Sequence, residues 1–342
     1  MSRAPESSDV GAPTAAIVEG DAKLHHTDDR WLDVLERGLG HEPKLIEVRS
    51  DGRVLGSLPL VLVKSRLFGR FLVSLPYLNT AGVVAADGDI ASELVDRAVD
   101  LADKLDVRYL ELRHEVPLEH PSLTAVNTYK KHLRLSLPSD AEQLWKRFDA
   151  KVRNQVRKGD KQGLSVHWGS HELLNEFYDV FARNMRDLGT PVYGRPLFSA
   201  ILRTFPEQAE LCVVRRSDVP IAAALLIHRR HKSEVPSAAS LRRFSGTNAN
   251  MWMYKHLLER AIERKSATFD FGRSTVDSNT YRFKTQWGAE PHPAVWQYYV
   301  RRGTIGDMRP ENSRYGLAVR MWKRLPVSVT RALGPFIVRG IP

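Results

Sequence analysis

The spacing of apolar residues along the chain predicts alternating helices and strands, because apolar positions recur every three to four residues in some segments and alternate in others. In the first half, a helix is followed by a hairpin around the turn Ser50-Asp51-Gly52, a strand, a second helix and a further strand. These elements occupy residues 28–39, 44–64, 71–75, 94–105 and 108–113. The pattern is typical of an α/β or α+β fold with mixed sheets.

The second half repeats this order of elements. Ser139 and Glu142 have the spacing of a capping box, which predicts the start of a basic amphipathic helix. The elements that follow are helices over 172–188 and 196–205, strands over 210–215, 220–229 and 237–241, a helix over 250–264 and a strand over 267–271. Arg113 and Arg273 end the last strand of each half, and the agreement in order and spacing indicates an internal duplication.

The repeated unit has the topology of GCN5-related N-acetyltransferase (GNAT) domains, the acyl-CoA N-acyltransferase fold. We therefore expect two tandem GNAT-like domains with mixed sheets and a basic C-terminal helical tail. The predicted boundaries are 1–23 for a disordered tail, 24–137 for the first domain, 138–300 for the second domain with its preceding basic helix, and 301–342 for the C-terminal tail.

The C-terminal tail carries +7 of the formal net charge of +11, and it is predicted to form an amphipathic helix near residue 320. Leu317, Met321, Trp322 and Leu325 share one arc of this helix, with basic residues opposite. Such a helix docks on an anionic membrane or packs on the second domain, and both alternatives stay open. The rest of the chain is only mildly basic, so we expect no sequence-specific DNA binding.

Motifs and composition disfavour several other classes of site. The sequence has no P-loop, dinucleotide fingerprint or nucleophile elbow, and His228 and His231 lack a third metal ligand at a suitable spacing. Cys212 is the one cysteine, which excludes an intrachain disulfide and fits a reducing compartment. No signal peptide or membrane span is predicted. We expect a cytoplasmic protein with no metal and no tightly bound cofactor.

The leading candidate for a functional site is the segment 269–290, FDFGRSTVDSNTYRFKTQWGAE. It is predicted to leave a strand and to continue as a loop that carries Arg273, Tyr281 and Lys284. Lys284 and Arg273 are candidates for stabilising negative charge on a carbonyl oxygen, and Tyr281 is a proton donor or a packing residue. Asp270 is a general base or a structural ion-pair partner, and the structural role is favoured.

Candidate substrate-binding residues lie outside the core of this segment. Arg183, Arg186, Tyr193 and Arg195 flank a predicted helix end, where they suit a diphosphate or a sugar acceptor, with a solvated helix end as the alternative.

Two further groups have the chemistry to bind substrate. Asn250 begins a predicted helix whose backbone N–H groups suit a phosphate, and Trp287 closes the candidate segment. Arg153, Arg157 and Lys158 are candidate contacts for tRNA or nucleotide phosphates, although a solvated helix face is the favoured alternative.

Three motifs resemble the Fem family of aminoacyl transferases. FDFGRS…YRFKTQWGAE resembles the closing motif of that family, and LWKRFDAKVRNQVRKGDKQGLSV resembles its basic helix before the second domain. RNMRDLGTPVYGRPLF, FDFGRST and FKTQWGA look more closely like the FemAB-like branch associated with exosortase/PEP-CTERM exopolysaccharide loci. The similarity covers most of the chain and is strongest after Leu144.

The resemblance implies an acyltransferase in which an amine on a peptidoglycan or exopolysaccharide precursor attacks the ester of an aminoacyl-tRNA. The lysine of the family motif matches Lys284, which would steady the tRNA end or the tetrahedral intermediate. The implied donor is aminoacyl-tRNA or acyl-CoA, and the implied place is the inner face of the cytoplasmic membrane. Two alternatives stay open: an acetyltransferase that uses acyl-CoA on a polysaccharide sugar, and a non-catalytic binding protein of an exopolysaccharide or protein-sorting locus.

Overall fold

The computed structural model of the protein describes residues 28–305 and 316–342, so the predicted disordered segment 1–23 lies outside the described residues. The helices are α1 Arg30–Leu39, α2 Gly88–Lys104, α3 Ala141–Arg147, α4 Ala150–Asp160, α5 Leu174–Leu188, α6 Arg195–Thr204, α7 Ala249–Glu263, α8 Asn279–Thr285, α9 Gly316–Trp322 and α10 Val327–Val338. The strands are β1 Glu42–Ser50, β2 Arg53–Ser65, β3 Gly69–Val73, β4 Val84–Ala85, β5 Tyr109–His114, β6 Ala125–Asn127, β7 Lys130–Ser136, β8 Leu164–Gly169, β9 Ala209–Arg216, β10 Val219–Arg229, β11 Lys232–Ser240, β12 Thr268–Thr275, β13 Glu290–Pro293 and β14 Val295–Val300.

Two mixed sheets form the framework. The first sheet has the order β1-β2-β3-β5-β14-β6, with β4 beside β2, and the second has the order β13-β7-β12-β11-β10-β9-β8. Among the described strands, neighbours are antiparallel except for the pairs β3–β5 and β11–β12, and a helix, α2 or α7, connects each parallel pair. The predicted mixed α/β architecture of two tandem GNAT-like units is confirmed.

The two halves exchange a strand. β7 lies at the end of the first half in sequence but pairs with β12 in the second sheet, and β14 lies at the end of the second half but pairs with β5 in the first sheet. The sheets therefore do not divide the chain at the predicted boundaries of 24–137 and 138–300. Alternating apolar and polar residues predict that a segment forms a strand. They do not specify which other strand it pairs with, because that depends on contacts between segments far apart in the chain.

Apolar cores lie on both faces of the sheets. The first core lies between the halves, where Phe71 and Tyr109 of the first sheet and Leu225 of the second share one cluster with residues of α1, α5 and α6. The second core joins the other face of the second sheet to α3, α4 and α7, and the third lies under α2. Each buried Phe or Leu contributes about 1.5–3 kcal/mol, so the shared first core holds the two halves together.

The predicted helix around residues 139–161 is two helices. Asp140 caps α3 in place of the predicted Ser139, since Asp140 Oδ1 accepts a hydrogen bond from the Gln143 backbone N at 2.8 Å. The chain then breaks at Phe148, whose ψ of 143° is extended, before α4 begins. The apolar period continues through the break because both helices pack on the second core.

The segment after β12 is a helix rather than the predicted loop. Ser278 caps α8, since its Oγ accepts a hydrogen bond from the Tyr281 backbone N at 3.1 Å. The predicted helix end at Gly189 is confirmed, since this residue has a left-handed φ of +83° that glycine adopts without strain.

The C-terminal tail packs on the protein through α10, which lies against α5. Arg186 of α5 also donates a hydrogen bond from Nη1 to the Leu325 carbonyl at 3.0 Å. Leu317 and Met321 of the predicted apolar arc stay 62% and 61% exposed. Residues 306–315 of the predicted tail lie outside the described residues. Within residues 28–305 and 316–342, no helix has both the length and the apolar character that crossing a membrane requires.

Candidate active site

The central feature of the second sheet is the separation of its two parallel strands. β11 and β12 pair through Glu234 and Asp270 and are not paired beyond that point. A bulge at Val235–Pro236 interrupts the pairing of β11 with β10, and a second bulge at Phe271–Gly272 interrupts the pairing of β12 with β7. Bulges bend and twist a strand, so these two turn β11 and β12 apart and open a slot between them.

Gly272 is required at the second bulge for two reasons. Its φ of +74° lies in the left-handed region, and a Cβ at this position would stand 3.3 Å from Nδ2 of Asn79, which belongs to the first half. The Asp270 side chain closes the bulge, since Oδ1 accepts a hydrogen bond from the Gly272 backbone N at 2.8 Å. The glycine of the motif therefore serves both the turn and the close approach of the first half.

Lys284 of α8 also binds the backbone of this bulge. Its Nζ donates hydrogen bonds to the carbonyl oxygens of Gly272 at 3.1 Å and of Arg273 at 3.0 Å, and the residue is only 9% exposed. Burial lowers the pKa of Lys284 to about 8, although the charge of Asp270 raises it. An ammonium group has three N–H donors, so one remains beyond the two carbonyls that Lys284 binds.

Asp270 is part of an ion-pair network that spans the two halves. Its Oδ2 accepts a hydrogen bond from Nε of Arg134 at 3.1 Å, and Arg134 in turn binds both carboxylate oxygens of Glu115. Thr80 Oγ1 also donates to Glu115 Oε1 at 3.0 Å. Burial raises the pKa of Glu115, but Arg134 more than reverses this effect and the pKa falls to about 2. One arginine therefore binds both carboxylates.

Arg113 and Arg273, which end equivalent strands of the two halves, meet at one tryptophan. The guanidinium carbons lie 3.9 Å and 3.2 Å from the ring centroid of Trp296, which is on the exchanged strand β14. Arg113 is also paired with Glu111 at 2.7 Å. Burial and the nearby charge of Arg113 lower the pKa of Arg273 to about 9, so its guanidinium still carries a charge at neutral pH. Such stacking on an aromatic face fixes the position of a guanidinium.

Asn79 connects this stack to the bulge. Its side-chain Oδ1 accepts a hydrogen bond from Arg273 Nε at 3.2 Å, and its carbonyl accepts one from Trp296 Nε1 at 3.2 Å. The preceding Tyr77 crosses to β11, where its OH lies 3.1 Å from Ser237 Oγ. Tyr77 has a φ of +81°, an unfavourable conformation for a residue with a side chain. The first half thus covers part of the slot in the second.

A cavity of about 300 Å³ lies between the halves where β11 and β12 begin to separate. Asn79, His114 and Glu115 line it from the first half, and Glu234 and Asp270 line it from the second. His114 is fixed in one tautomer, because its Nε2 accepts a hydrogen bond from the Val83 backbone N at 3.0 Å. Burial lowers the pKa of His114 to about 4, so the imidazole is neutral at physiological pH.

The helices α2 and α7, each of which connects the two strands of a parallel pair, differ in the capping of their N-termini. Asp87 caps α2, since its Oδ1 accepts a hydrogen bond from the Ile90 backbone N at 2.8 Å. The N-cap of α7 is Asn248, which has a left-handed φ of +53° and makes no side-chain capping bond. Asn250, a predicted substrate contact, is half-buried in the first turn of α7. At the start of α7, Thr247 Oγ1 accepts a hydrogen bond from the Ala249 backbone N at 3.2 Å. An anion therefore meets a carboxylate at the start of α2, and at α7 it meets the backbone N–H groups that follow Ala249.

Tyr281 and Trp287 take different places around α8. Tyr281 is half-buried in the first turn of α8 and packs against the second core. Trp287 is 1% exposed inside that core, with its ring 5.1 Å from that of Phe148. The structure brings Asp270, Arg273 and Lys284 together at the bulge, whereas Trp287 has no free surface for a ligand.

The residues predicted to bind a diphosphate or sugar do not form one cluster. Arg186 binds the carbonyl of Leu325 in the tail, and Arg195 donates to Asn175 Oδ1 at 2.5 Å. Tyr193 packs edge-on against Tyr77 at 5.3 Å, while Arg183 is exposed on α5. These side chains serve local structure, apart from Arg183, which faces solvent.

The basic helix is α4. Arg157 and Lys158 are exposed, and the Arg157 guanidinium lies 5.8 Å from the Trp145 ring. Arg153 donates to the Lys146 carbonyl at 3.4 Å. This arrangement fits both a solvated face and a phosphate contact, so the tRNA role of these three residues stays a prediction.

Metal-binding chemistry finds no support in the described part of the chain. No group of three or more His, Cys, Asp or Glu side chains there is placed to hold an ion. His228 lies in a buried network, with Nε2 2.8 Å from Glu210 Oε1 and Nδ1 2.6 Å from Ser233 Oγ.

Several residues of the site were not predicted from the sequence. Asn79, Glu115, Arg134 and Trp296 come from the first half or from exchanged strands, and none lies in a motif. Glu115 directly follows His114, the last residue of β5, and this position at a strand end is the one signal that the sequence offers.

The fold and the family comparison define the class of protein. Residues 146–285 match the family model of the acetyltransferase (GNAT) domain. This region contains β11, β12 and their connecting helix α7, which carry the slot. This match supports an acyltransferase activity, and the chain has the GNAT fold.

Several solved structures have the same fold as this chain. A crystal structure named FemX is 16% identical, with a TM-score of 0.60, and the alignment covers 85% of this chain and 94% of that chain. The C-terminal domain of a putative lysylphosphatidylglycerol synthetase from Agrobacterium fabrum is 11% identical, with a TM-score of 0.53 and coverage of 80% and 89%. L-PGS from Bacillus licheniformis is 12% identical, with a TM-score of 0.51 and coverage of 90% and 100%. At these identities the likeness concerns the fold. The comparison with curated protein sequences gave no match.

Proposed function

We propose that this protein is a FemAB-like acyltransferase that forms an amide or ester on a cell-envelope peptidoglycan or exopolysaccharide precursor. The observation that carries the proposal is the slot between β11 and β12, which opens at a bulge held by Lys284. Aminoacyl-tRNA or acyl-CoA is the proposed donor. The exosortase/PEP-CTERM branch of the Fem family and peripheral contact with the inner face of the cytoplasmic membrane belong to the same proposal.

The slot suits an extended acyl donor. Beyond Glu234, the edge of β11 is not paired with β12, so its backbone groups are placed to bind an extended chain as an added strand would. The start of α7 offers backbone N–H groups to a phosphate, a group that acyl-CoA and the end of a tRNA both carry. The equivalent position in the first half is taken by the Asp87 carboxylate, which supports one donor site in the second half.

Lys284 has the role of stabilising the carbonyl oxygen of the donor. When an amine or hydroxyl of the acceptor attacks the acyl carbon, a new C–N or C–O bond forms and negative charge develops on the carbonyl oxygen. The remaining N–H donor of the Lys284 ammonium is fixed in place beforehand by the Gly272 and Arg273 carbonyls. Preorganised donors of this kind stabilise the transition state most when the site excludes water. The tetrahedral intermediate then collapses and the bond from the acyl carbon to the oxygen or sulfur of the donor breaks. The proton lost by the attacking amine or hydroxyl leaves with the alcohol or thiol of the donor.

The acceptor is proposed to bind in the cavity between the halves. Glu115, Glu234 and Asp270 line this cavity, and their carboxylates suit an amine or a sugar hydroxyl. Arg273 lies beside it, fixed by Asn79, and its charge suits a phosphate or carboxylate of the acceptor.

Two alternatives each have an observation in their favour. The start of α7, where the Asn248 side chain makes no capping bond, favours acyl-CoA as the donor, with acetylation of a polysaccharide sugar as the reaction. The pairing of both Asp270 and Glu115 with Arg134 favours a non-catalytic binding protein, because it leaves neither carboxylate as a free general base.

Donor binding and transfer test the proposal together. We expect calorimetric titration to detect binding of acetyl-CoA or of an aminoacyl-tRNA, and incubation with a nucleotide-linked amino sugar or peptide to release the free thiol or tRNA. Lys284→Met should bind the donor but lose transfer. Binding of neither donor by the wild-type protein would reject the acyltransferase, while binding without release under any acceptor would favour the non-catalytic alternative.

A further inference from the structure

The β2–β3 turn and the last helix bring two exposed apolar side chains into one surface hollow. Leu67, in the turn, is 75% exposed, and Phe336, on α10, is 69% exposed. The same hollow is lined by the exposed side chains of Arg66, Arg70 and Arg339. Large apolar side chains that are left exposed side by side mark an interaction surface.

The outer face of α10 extends this apolar surface. Thr330, Gly334 and Val338, spaced four residues apart, are the buried face of the helix. Leu333 and Phe336 lie three residues apart on the outer face and are both exposed. α10 therefore packs on α5 with one face and presents a second apolar face outwards.

The charge around this surface is mostly positive, although Glu36 and Glu42 lie beside Arg339 and Asp106 lies near Arg70. Residues 316–342 contain five Arg and Lys residues and no Asp or Glu. In the β2–β3 region, Lys64 is paired with Glu42 at 2.8 Å, and the hollow is then lined by Arg66, Arg70 and Arg339. Exposed apolar side chains flanked by arginines complement the interface of an anionic bilayer, where apolar side chains enter the acyl boundary and guanidinium groups bind phosphates.

We propose that Leu67, Leu333, Phe336, Arg66, Arg70 and Arg339 form a lipid-docking surface that binds an anionic phospholipid bilayer. This surface would be the part of the protein that makes the membrane contact included in the proposed function. It rests on the proposed function only for the reason why the protein binds a membrane. The surface includes the β2–β3 turn, whereas the cavity lies at the other end of β3 and β5. Since β5 has six residues, about 20 Å separate the two. The cavity thus faces the aqueous side, and the acceptor group reaches it outside the bilayer.

Vesicle binding of the full chain tests this surface. We expect co-sedimentation with vesicles of phosphatidylglycerol and phosphatidylcholine, and at least tenfold weaker binding to phosphatidylcholine alone. Leu67→Ser with Phe336→Ser should lower the partition coefficient at least tenfold, while Leu45→Ser, an equally polar change at an exposed leucine of β1, should not. Equal binding by the double variant, or equal binding to both vesicles, would overturn the proposal.

The arginines need a separate comparison. Replacing Arg66, Arg70 and Arg339 by Ser should abolish the preference for anionic vesicles, whereas Arg53→Ser with Arg203→Ser, at exposed positions of β2 and α6, should keep it. Self-association that disappears in the Leu67 and Phe336 variant would instead assign the surface to a second copy of the chain.

A fluorophore at position 67 gives a direct readout. Leu67→Cys can be labelled selectively because Cys212, the other thiol, is buried. We expect the emission to shift to the blue on anionic vesicles, and an unchanged spectrum would contradict insertion. Each of these measurements reads docking rather than transfer, so a failure of the acyltransferase proposal and a failure of this one are distinguishable.

Discussion

Replacing Lys284 by methionine distinguishes a lysine that acts in the site from one that only fastens the bulge. Methionine keeps an unbranched side chain but removes the charge and the hydrogen bonds to the Gly272 and Arg273 carbonyls. Burial lowers the pKa of Lys284 from 10.5 to about 8 in the folded protein. Because the folded state then binds the proton less tightly than the unfolded state, the protein gains stability as the pH rises from 8 towards 10.5.

The size of this effect follows from the pKa difference. The full difference corresponds to about 3 kcal/mol, of which about 2 kcal/mol falls between pH 7 and pH 9.5. The free energy of unfolding of the wild-type protein should therefore rise by about 2 kcal/mol relative to Lys284→Met over this range. Urea denaturation of both proteins at several pH values measures the difference. A difference that does not change with pH would refute the lowered pKa.

The same variant tests the role in transfer. Loss of one preorganised donor to a developing oxyanion lowers kcat by about 10²–10³-fold, so Lys284→Met should lose activity by that factor. The wild-type rate should also decline above about pH 8, as the ammonium loses its proton. Lys130→Met is the matched control, since Lys130 also affects the pKa of Lys284 but makes no contact with the bulge carbonyls. A transfer rate within threefold of wild type in Lys284→Met would remove this residue from the chemistry.

Three other substitutions test the framework of the site. Asp270→Asn removes one of the two carboxylates that bind Arg134, while Glu115 remains, and should lower the free energy of unfolding by about 2 kcal/mol in urea, whereas no change would show that the pair is not stabilising. Trp296→Leu removes the ring between the two arginines and should cost about 2–4 kcal/mol in thermal unfolding. Asp87→Ala should cost about 1 kcal/mol by loss of a helix cap and leave donor binding unchanged; a weaker donor affinity would contradict the placement of the phosphate at α7.

The order of elements and the grouping of Lys284 with Asp270 and Arg273 were predictable from the sequence. Periods of two and of three to four residues depend on which face of a strand or helix is buried, so they indicated both parallel units and their connecting helices. The predicted strand before Gly272 and the lysine in the same motif placed Asp270, Arg273 and Lys284 within one short segment. These features depend on residues that are close together in the chain, so the spacing of residue types in the sequence is enough to predict them.

Local chemistry was less predictable where two solutions compete. The segment between Gly272 and Lys284 is rich in polar residues and indicated a loop, but a serine cap and packing on the second core make it the helix α8. Likewise, Ser139 and Asp140 are both favourable N-cap residues, and the sequence pattern does not distinguish them. The backbone conformation in the folded protein places Asp140 at the N-cap.

Tertiary structure alone decided what surrounds the lysine. Trp296 and Arg134 reach the site on exchanged strands, and Glu115 reaches it from the first half. Strand pairing joins residues that are far apart in the chain, and its free energy depends on complementary faces and edges that no single segment contains. The sequence by itself therefore determined the elements and the motif at Lys284, whereas the slot, the arginine stack and the cavity exist only because the two halves exchange strands and pack on one core.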